Sequence, residues 1–108
     1  MKHVTRERAK ELVDRQDVAV IEVLSSDKFN EFHLPGAKNI PFDDRFKESI
    51  QSAVPDQDHL VLLYCWDEDC PQSEKAAKAM EELGYSQVYD YAAGKKDWRD
   101  AGYPVELA

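Results

Sequence analysis

Apolar positions along the chain follow two alternating patterns. Val18-Ala19-Val20-Ile21, continuing past Glu22 to Val23-Leu24, and Leu60-Val61-Leu62-Leu63-Tyr64 are nearly unbroken apolar runs, which read as strands covered on both faces, as in a parallel sheet. Elsewhere apolar residues recur at helical spacing. Ala9, Leu12 and Val13 follow a Thr5 cap in a helix ending near Gln16, and Ala76, Ala77, Met80 and Leu83 belong to a helix running from Pro71 or Ser73 to a stop at Gly84. Ser25 and Ser26 open a short helical turn through Phe29. Ala37 to Ile40 is a short extended segment closed by Pro41, and Asp43 caps a helix through about Ala53. Gln87 to Tyr91 supplies a further strand, and a short helix around Lys96 to Ala101 precedes the Gly102-Tyr103-Pro104 turn. This alternation predicts an α/β fold, a mostly parallel sheet of four to five strands with helices on both faces. Glu22, near the end of the first apolar run, is not explained by burial, so a partner or solvent must satisfy its charge.

Length and charge narrow the possibilities. A chain of 108 residues with no internal repeat, low-complexity stretch or linker is expected to be one domain spanning 1–108. Its 22 acidic against 14 basic residues give a net charge of −8, which argues against nucleic acid and anionic membrane surfaces as partners, since both require a cationic face. The start, Met1 to Glu7, has no apolar targeting core, and no stretch approaches the roughly 20 apolar residues of a membrane span, so a soluble cytoplasmic protein is expected. In that compartment Cys65 and Cys70 are read as reduced thiols and not as a disulfide framework. His3, His33 and His59 do not sit at ligand spacing with either cysteine, so no metal is expected, nor any other cofactor.

Cys65 ends the second apolar run and opens a loop, Cys65-Trp66-Asp67-Glu68-Asp69-Cys70-Pro71-Gln72, that leads into a helix. In parallel α/β sheets, loop N–H groups and the next helix's N-terminus converge on anions at the carboxyl ends of strands, and a thiolate is such an anion. The strand and helix pattern alone leaves two readings open: a nucleophile, or a small buried hydrophobe ending a core strand.

Several segments in order decide between them. His33-Leu34-Pro35-Gly36-Ala37 with Asn39-Ile40-Pro41 resembles the H-I-P-G-A-x-x-I-P segment of rhodanese-like domains. Val20-Ile21-Glu22-Val23 is similar to the family's first core strand, Tyr64-Cys65 to its active-site cysteine, and Ser73-x-x-Ala76-Ala77 to the helix behind it. Leu83-Gly84-Tyr85 and Ala93-Gly94-x-x-x-Trp98-x-x-Ala101-Gly102-Tyr103-Pro104 complete a resemblance covering about residues 4–106. It implies the rhodanese-like fold and a sulfurtransferase or persulfide carrier. Cys65 would accept a sulfane sulfur from a small-molecule or protein donor and pass it to a thiol or other nucleophilic acceptor.

Such chemistry requires a thiolate, hence a thiol pKa below about 8.5. The backbone amides of Trp66, Asp67, Glu68, Asp69 and Cys70 are the expected cradle for that anion, aided by the following helix's positive end. Three departures bear on substrate. Ser73 stands eight residues after Cys65, where many family members have six; the intervening loop holds no arginine or glycine; and Asp67, Glu68 and Asp69 either raise the cysteine's pKa and repel anionic donors or simply face solvent. The missing arginine disfavours a phosphatase or arsenate reductase. Cys70, placed at the N-cap or first turn of the next helix, is an auxiliary thiol or a passive one. As a resolving residue it would make the protein a thiol redox module. A non-catalytic binding domain on the same fold is the remaining alternative. Trp98 matches the family's core tryptophan, His33 fits the turn motif structurally, and Trp66 is expected to line the mouth of the site.

Overall fold

The computed structural model describes residues 1–107. In chain order the elements are β1 (Lys2–His3), α1 (Arg6–Asp14), β2 (Val18–Glu22), α2 (Ser26–Glu31), β3 (Lys38–Asn39), α3 (Phe46–Ala53), β4 (Leu60–Tyr64), α4 (Gln72–Glu82), β5 (Val88–Tyr91) and α5 (Gly94–Asp100). The five strands form one parallel sheet ordered β1-β5-β4-β2-β3. The two apolar runs, β2 and β4, are paired side by side at its centre, which explains why neither shows the polar alternation of a half-exposed strand.

Local chemistry sets the boundaries. Thr5 caps α1 by accepting the Arg8 N–H at 3.1 Å. Asp43 acts one turn earlier than expected: its carboxylate accepts the Arg45 N–H at 2.9 Å, and α3 starts only at Phe46. α4 ends where Gly84 takes a φ of 99°, a left-handed conformation in which a side chain would be strained. The two-residue β1, absent from the hydrophobic pattern because a strand so short carries no periodicity, docks on β5 with His3 opposite Asp90.

Alternation along the strands divides the core. Ile21, Val61, Leu63, Cys65 and Val88 pack with Phe46 and Ile50 of α3 and with Ala76, Ala77 and Met80 of α4. Val20, Leu62, Tyr64 and Tyr91 pack with Ala9 and Leu12 of α1 and Trp98 of α5. Trp98 is fully buried and donates its indole N–H to the Pro104 carbonyl at 2.7 Å.

The strand order also locates the site. From the central pair the chain winds outward in opposite directions, β2 leading to β3 and β4 to β5, so the topology reverses between β2 and β4. Crevices outside the carboxyl ends of strands at such a reversal are where α/β sheets bind ligands. Cys65 lies just past the end of β4, and Glu22 is the last residue of β2.

Candidate active site

Cys65 continues the inward alternation of Val61 and Leu63, so its side chain lies on the α3/α4 face, with no exposed surface. Its sulfur has two oxygen neighbours, the Cys70 carbonyl at 3.3 Å and the Ser73 hydroxyl at 3.6 Å. Burial pushes the thiol up to about 12, and its contact with Cys70 adds to the rise; the Ser73 hydroxyl and N–H pull in the opposite direction. The resting residue is therefore a shielded, protonated thiol.

The sequence led us to expect the five amides of residues 66–70 around the sulfur as a pKa-lowering cradle. In the structure two of these five amides are engaged within the loop. The Cys70 N–H donates to the Asp67 carbonyl and the Asp69 N–H to the Asp67 carboxylate, both at 3.1 Å, so the loop closes around Asp67. Asx chemistry competes for amides that would otherwise face an anion. Cys70 is also not in the helix: Pro71 is the N-cap of α4, which leaves Cys70, half-buried, just outside it. Glu68 and Asp69 are exposed and Asp67 is partly so, and burial, not these carboxylates, raises the Cys65 thiol.

The start of the loop is held by α5. The Lys95 N–H donates to the Cys65 carbonyl and the Lys96 N–H to the Trp66 carbonyl, each at 2.9 Å. This approach needs the glycine that precedes them. Gly94 has a φ of 77°, and a Cβ there would stand 2.4 Å from the Trp66 carbonyl oxygen.

Beside this contact lies a buried ion pair that resolves the Glu22 question. The Lys95 ammonium sits 3.1 Å from the Glu22 carboxylate, both side chains fully buried. It also donates to the Lys28 and Phe32 carbonyls at 2.7 Å, at the C-terminal end of α2, so each of its three N–H groups meets an acceptor. Tyr64 donates its hydroxyl to the other Glu22 oxygen at 2.9 Å and accepts the Leu34 N–H at 3.1 Å. Burial pushes the carboxyl up and the ammonium down, while each partner opposes that shift in the other. Lys95 carried no signal in the sequence, since a lysine within Gly94-Lys95-Lys96-Asp97 resembles any solvated helix start.

Two surface depressions flank the loop. One, of about 350 Å³, is lined by Asp67, Glu68, Asp69, Lys96, Asp97 and Asp100 and is strongly acidic. The other, of about 190 Å³, is lined by Leu24, Lys28, Glu31 and Trp66 and is mainly apolar. Trp66 is half-exposed there, edge-on to Phe32 at 6.0 Å and covered by the Arg99 guanidinium at 5.4 Å. His33 is absorbed by the turn: it stacks on Phe29 at 3.9 Å, and its Nδ1 lies 3.1 Å from the Phe29 carbonyl. Among the described residues no cluster of side chains is arranged to hold a metal ion. Among the described residues no helix is long and apolar enough to cross a membrane.

Comparison with known proteins gives this geometry its context. The profile of the rhodanese-like domain family matches residues 5–101. Thiosulfate sulfurtransferase PspE of Escherichia coli strain K12 is 38% identical over 77 residues, covering 71% of this chain and 70% of that protein. Thiosulfate sulfurtransferase GlpE of Coxiella burnetii is 28% identical over 107 residues, covering 99% of this chain and 94% of its own length. The crystal structure of BH2092 from Bacillus halodurans superposes with a TM-score of 0.87 at 22% identity over 98% of this chain and 77% of that one, a likeness of fold. By this profile match and by the relatives that share its sequence, the chain belongs to the rhodanese-like domain family.

Proposed function

We propose that the protein is a sulfurtransferase or persulfide carrier in which Cys65 takes a sulfane sulfur and passes it to a thiol acceptor. The observation that carries this reading is the position of Cys65 at the carboxyl end of the central strand β4, at the topological reversal of a fold whose relatives include thiosulfate sulfurtransferases. The Cys65 thiolate attacks the donor's outer sulfur, the donor's S–S bond breaks with its electron pair leaving on the departing group, and a persulfide remains on Cys65. An acceptor thiolate then takes the outer sulfur and releases Cys65 as the anion. Because the sulfur is fully buried, donor access requires displacement of the 67–70 segment, which also removes the Cys70 carbonyl from the thiol.

Intact mass after incubation with thiosulfate, polysulfide or an organic persulfide tests the proposal. The gain of one sulfur atom by the wild type, its loss in Cys65→Ser and its substantial retention in Cys70→Ser are expected. If Cys70→Ser is the inactive variant, the roles of the two thiols are exchanged.

A second reading is favoured by the curl of the loop, which lays the Cys70 carbonyl on the Cys65 sulfur: the two cysteines form a reversible redox pair. Mild oxidation would then remove two hydrogens from the intact mass, in place of adding sulfur.

A further inference from the structure

The smaller depression beside the loop is built on the half of it that is tied to the body of the protein. The Val23 N–H donates to the Tyr64 carbonyl at 3.2 Å, one step past the paired register of β2 and β4, so the two chains leave the sheet side by side. Leu24 and Trp66 then form the apolar part of the depression of about 190 Å³. The Trp66 carbonyl accepts the Lys96 N–H at 2.9 Å, and its ring meets the buried Phe32 edge-on at 6.0 Å, which fixes this wall to α5 and to the end of α2. Leu24 also packs against the apolar cluster that contains Cys65, so the depression borders the surroundings of the sulfur.

The other wall is α2, which presents Lys28 and Glu31, both exposed and three positions apart. That spacing ordinarily joins opposite charges, as it does for Arg8 and Glu11 on α1. Among the described residues, however, neither Lys28 nor Glu31 enters an ion pair. One free cation and one free anion therefore stand over an apolar floor. Across the loop the second depression carries Asp67, Glu68 and Asp69, which turns an anionic group toward the Lys28 side, where the Arg99 guanidinium also lies, 5.4 Å over the Trp66 ring.

We propose that this depression selects the acceptor of the sulfur and that the acceptor is a free amino-acid thiol of the cysteine class: Lys28 takes its α-carboxylate, Glu31 its α-ammonium, and Leu24 with Trp66 its methylene. The assignment rests on Cys65 being the sulfur carrier proposed above. The volume lies below the roughly 300–1,000 Å³ of sites for drug-sized ligands and suits a molecule this small. Thiosulfate, with two negative charges and no apolar part, would leave Glu31 and the Leu24–Trp66 floor unused. A cysteine within a protein has both α groups in peptide bonds and would leave both charges unused. With its body held here, the acceptor loses its thiol proton to solvent, and its thiolate attacks the outer sulfur of the Cys65 persulfide. The S–S bond breaks with its electron pair on Cys65, the acceptor leaves as a persulfide, and no further oxidant or reductant is required.

The test loads the protein with polysulfide and follows loss of sulfur from Cys65, by peptide mass mapping, to cysteine, cysteine methyl ester or N-acetylcysteine in wild type, Lys28→Gln and Glu31→Gln. Each variant is divided by wild type for the same acceptor, which cancels the acceptors' different intrinsic reactivities. Lys28→Gln should slow cysteine relative to its methyl ester, which has no carboxylate, by about twofold to fivefold. Glu31→Gln should slow cysteine relative to N-acetylcysteine, which has no ammonium, by about the same factor. Both ratios should shrink as salt is raised toward about 1 M. Equal effects on all three acceptors, or wild-type rates in both variants, would overturn the assignment. If the wild type takes no sulfur from polysulfide, the sulfurtransferase reading fails, and the same ratios are read on thiol–disulfide exchange of Cys65 with cystine, cystine dimethyl ester and N,N′-diacetylcystine. Their presence there supports recognition of the amino-acid group by Lys28 and Glu31, and their absence overturns it.

Discussion

Replacing Lys95 by methionine is the sharpest test of how the fold holds the site. Methionine keeps the length and most of the apolar stem but removes the ammonium, which leaves the fully buried Glu22 carboxylate with only the Tyr64 hydroxyl and frees the Lys28 and Phe32 carbonyls. Breaking a buried pair by removing one member costs about 3–5 kcal/mol, because the remaining charge stays desolvated. For a domain of this size, 1 kcal/mol corresponds to roughly 4–8 °C, so the melting temperature of Lys95→Met should fall by about 12 °C or more. Glu22→Gln/Lys95→Met, which leaves no charge behind, should recover most of that loss.

The pH dependence has a definite sign. Burial raises the Glu22 carboxyl in the folded protein and Lys95 is the first influence opposing the rise, so the variant's carboxyl rises further. A group with a raised folded pKa binds more protons folded than unfolded, and stability then falls as pH rises through that window. The deficit of Lys95→Met relative to wild type should therefore be larger near about pH 8 than near about pH 5. Thermal denaturation of the wild type and both variants at the two pH values measures this. A Lys95→Met midpoint within about 3 °C of wild type, or a double variant no more stable than the single one, would refute the claim that the pair is a buried charge system.

Two further outcomes follow from the loop. Replacing Asp67, Glu68 and Asp69 by Asn, Gln and Asn should raise turnover with thiosulfate more than with a neutral persulfide donor; because these side chains reach solvent, the difference should shrink as salt is raised toward about 1 M, where the screening length falls to about 3 Å. Gly94→Ala should destabilise the protein by about 2 kcal/mol or more in urea titration, since it combines a left-handed φ with a Cβ pressed on the Trp66 carbonyl.

Much of the architecture was legible because the central strands announce themselves. The apolar runs of β2 and β4 admit no helix of ordinary length, and the Thr5 cap and Gly84 stop are chemical signals that the structure reproduces. The place of Cys65 followed from the same pattern. What did not follow depends on contacts between residues distant in sequence. Lys95 reaches Glu22 across 73 positions, and β1 exists only because β5 offers an edge. Asp90 lies within a Tyr-Asp-Tyr strand whose alternation suggests an exposed acid, and only its register beside Leu63 turns it inward. Two of the loop amides are taken up for a local reason. Asp67 captures the amides of Asp69 and Cys70, a competition that loop composition suggests only once an aspartate is known to sit at the turn's first position.

The two halves of that loop are held in different ways, and this bears on how a buried cysteine can react. Its first residues are tied to the body of the protein: the Cys65 and Trp66 carbonyls accept N–H groups from α5, and α5 is itself anchored through Lys95 to β2 and α2. Beyond Trp66 the hydrogen bonds recorded for residues 67–70 stay within the loop, centred on Asp67, apart from the contact of the Cys70 carbonyl with the Cys65 thiol. Segments held by local hydrogen bonds and exposed side chains open at lower free energy than those packed into a core. Opening the 67–70 segment while α5 keeps its grip therefore uncovers the sulfur while Cys65 stays anchored at the end of β4. It also removes the Cys70 carbonyl, one of the two oxygen acceptors beside the sulfur. Under the proposed sulfur transfer, the displacement that admits a donor is therefore also the one that brings solvent to the thiol and relieves the burial that raises it.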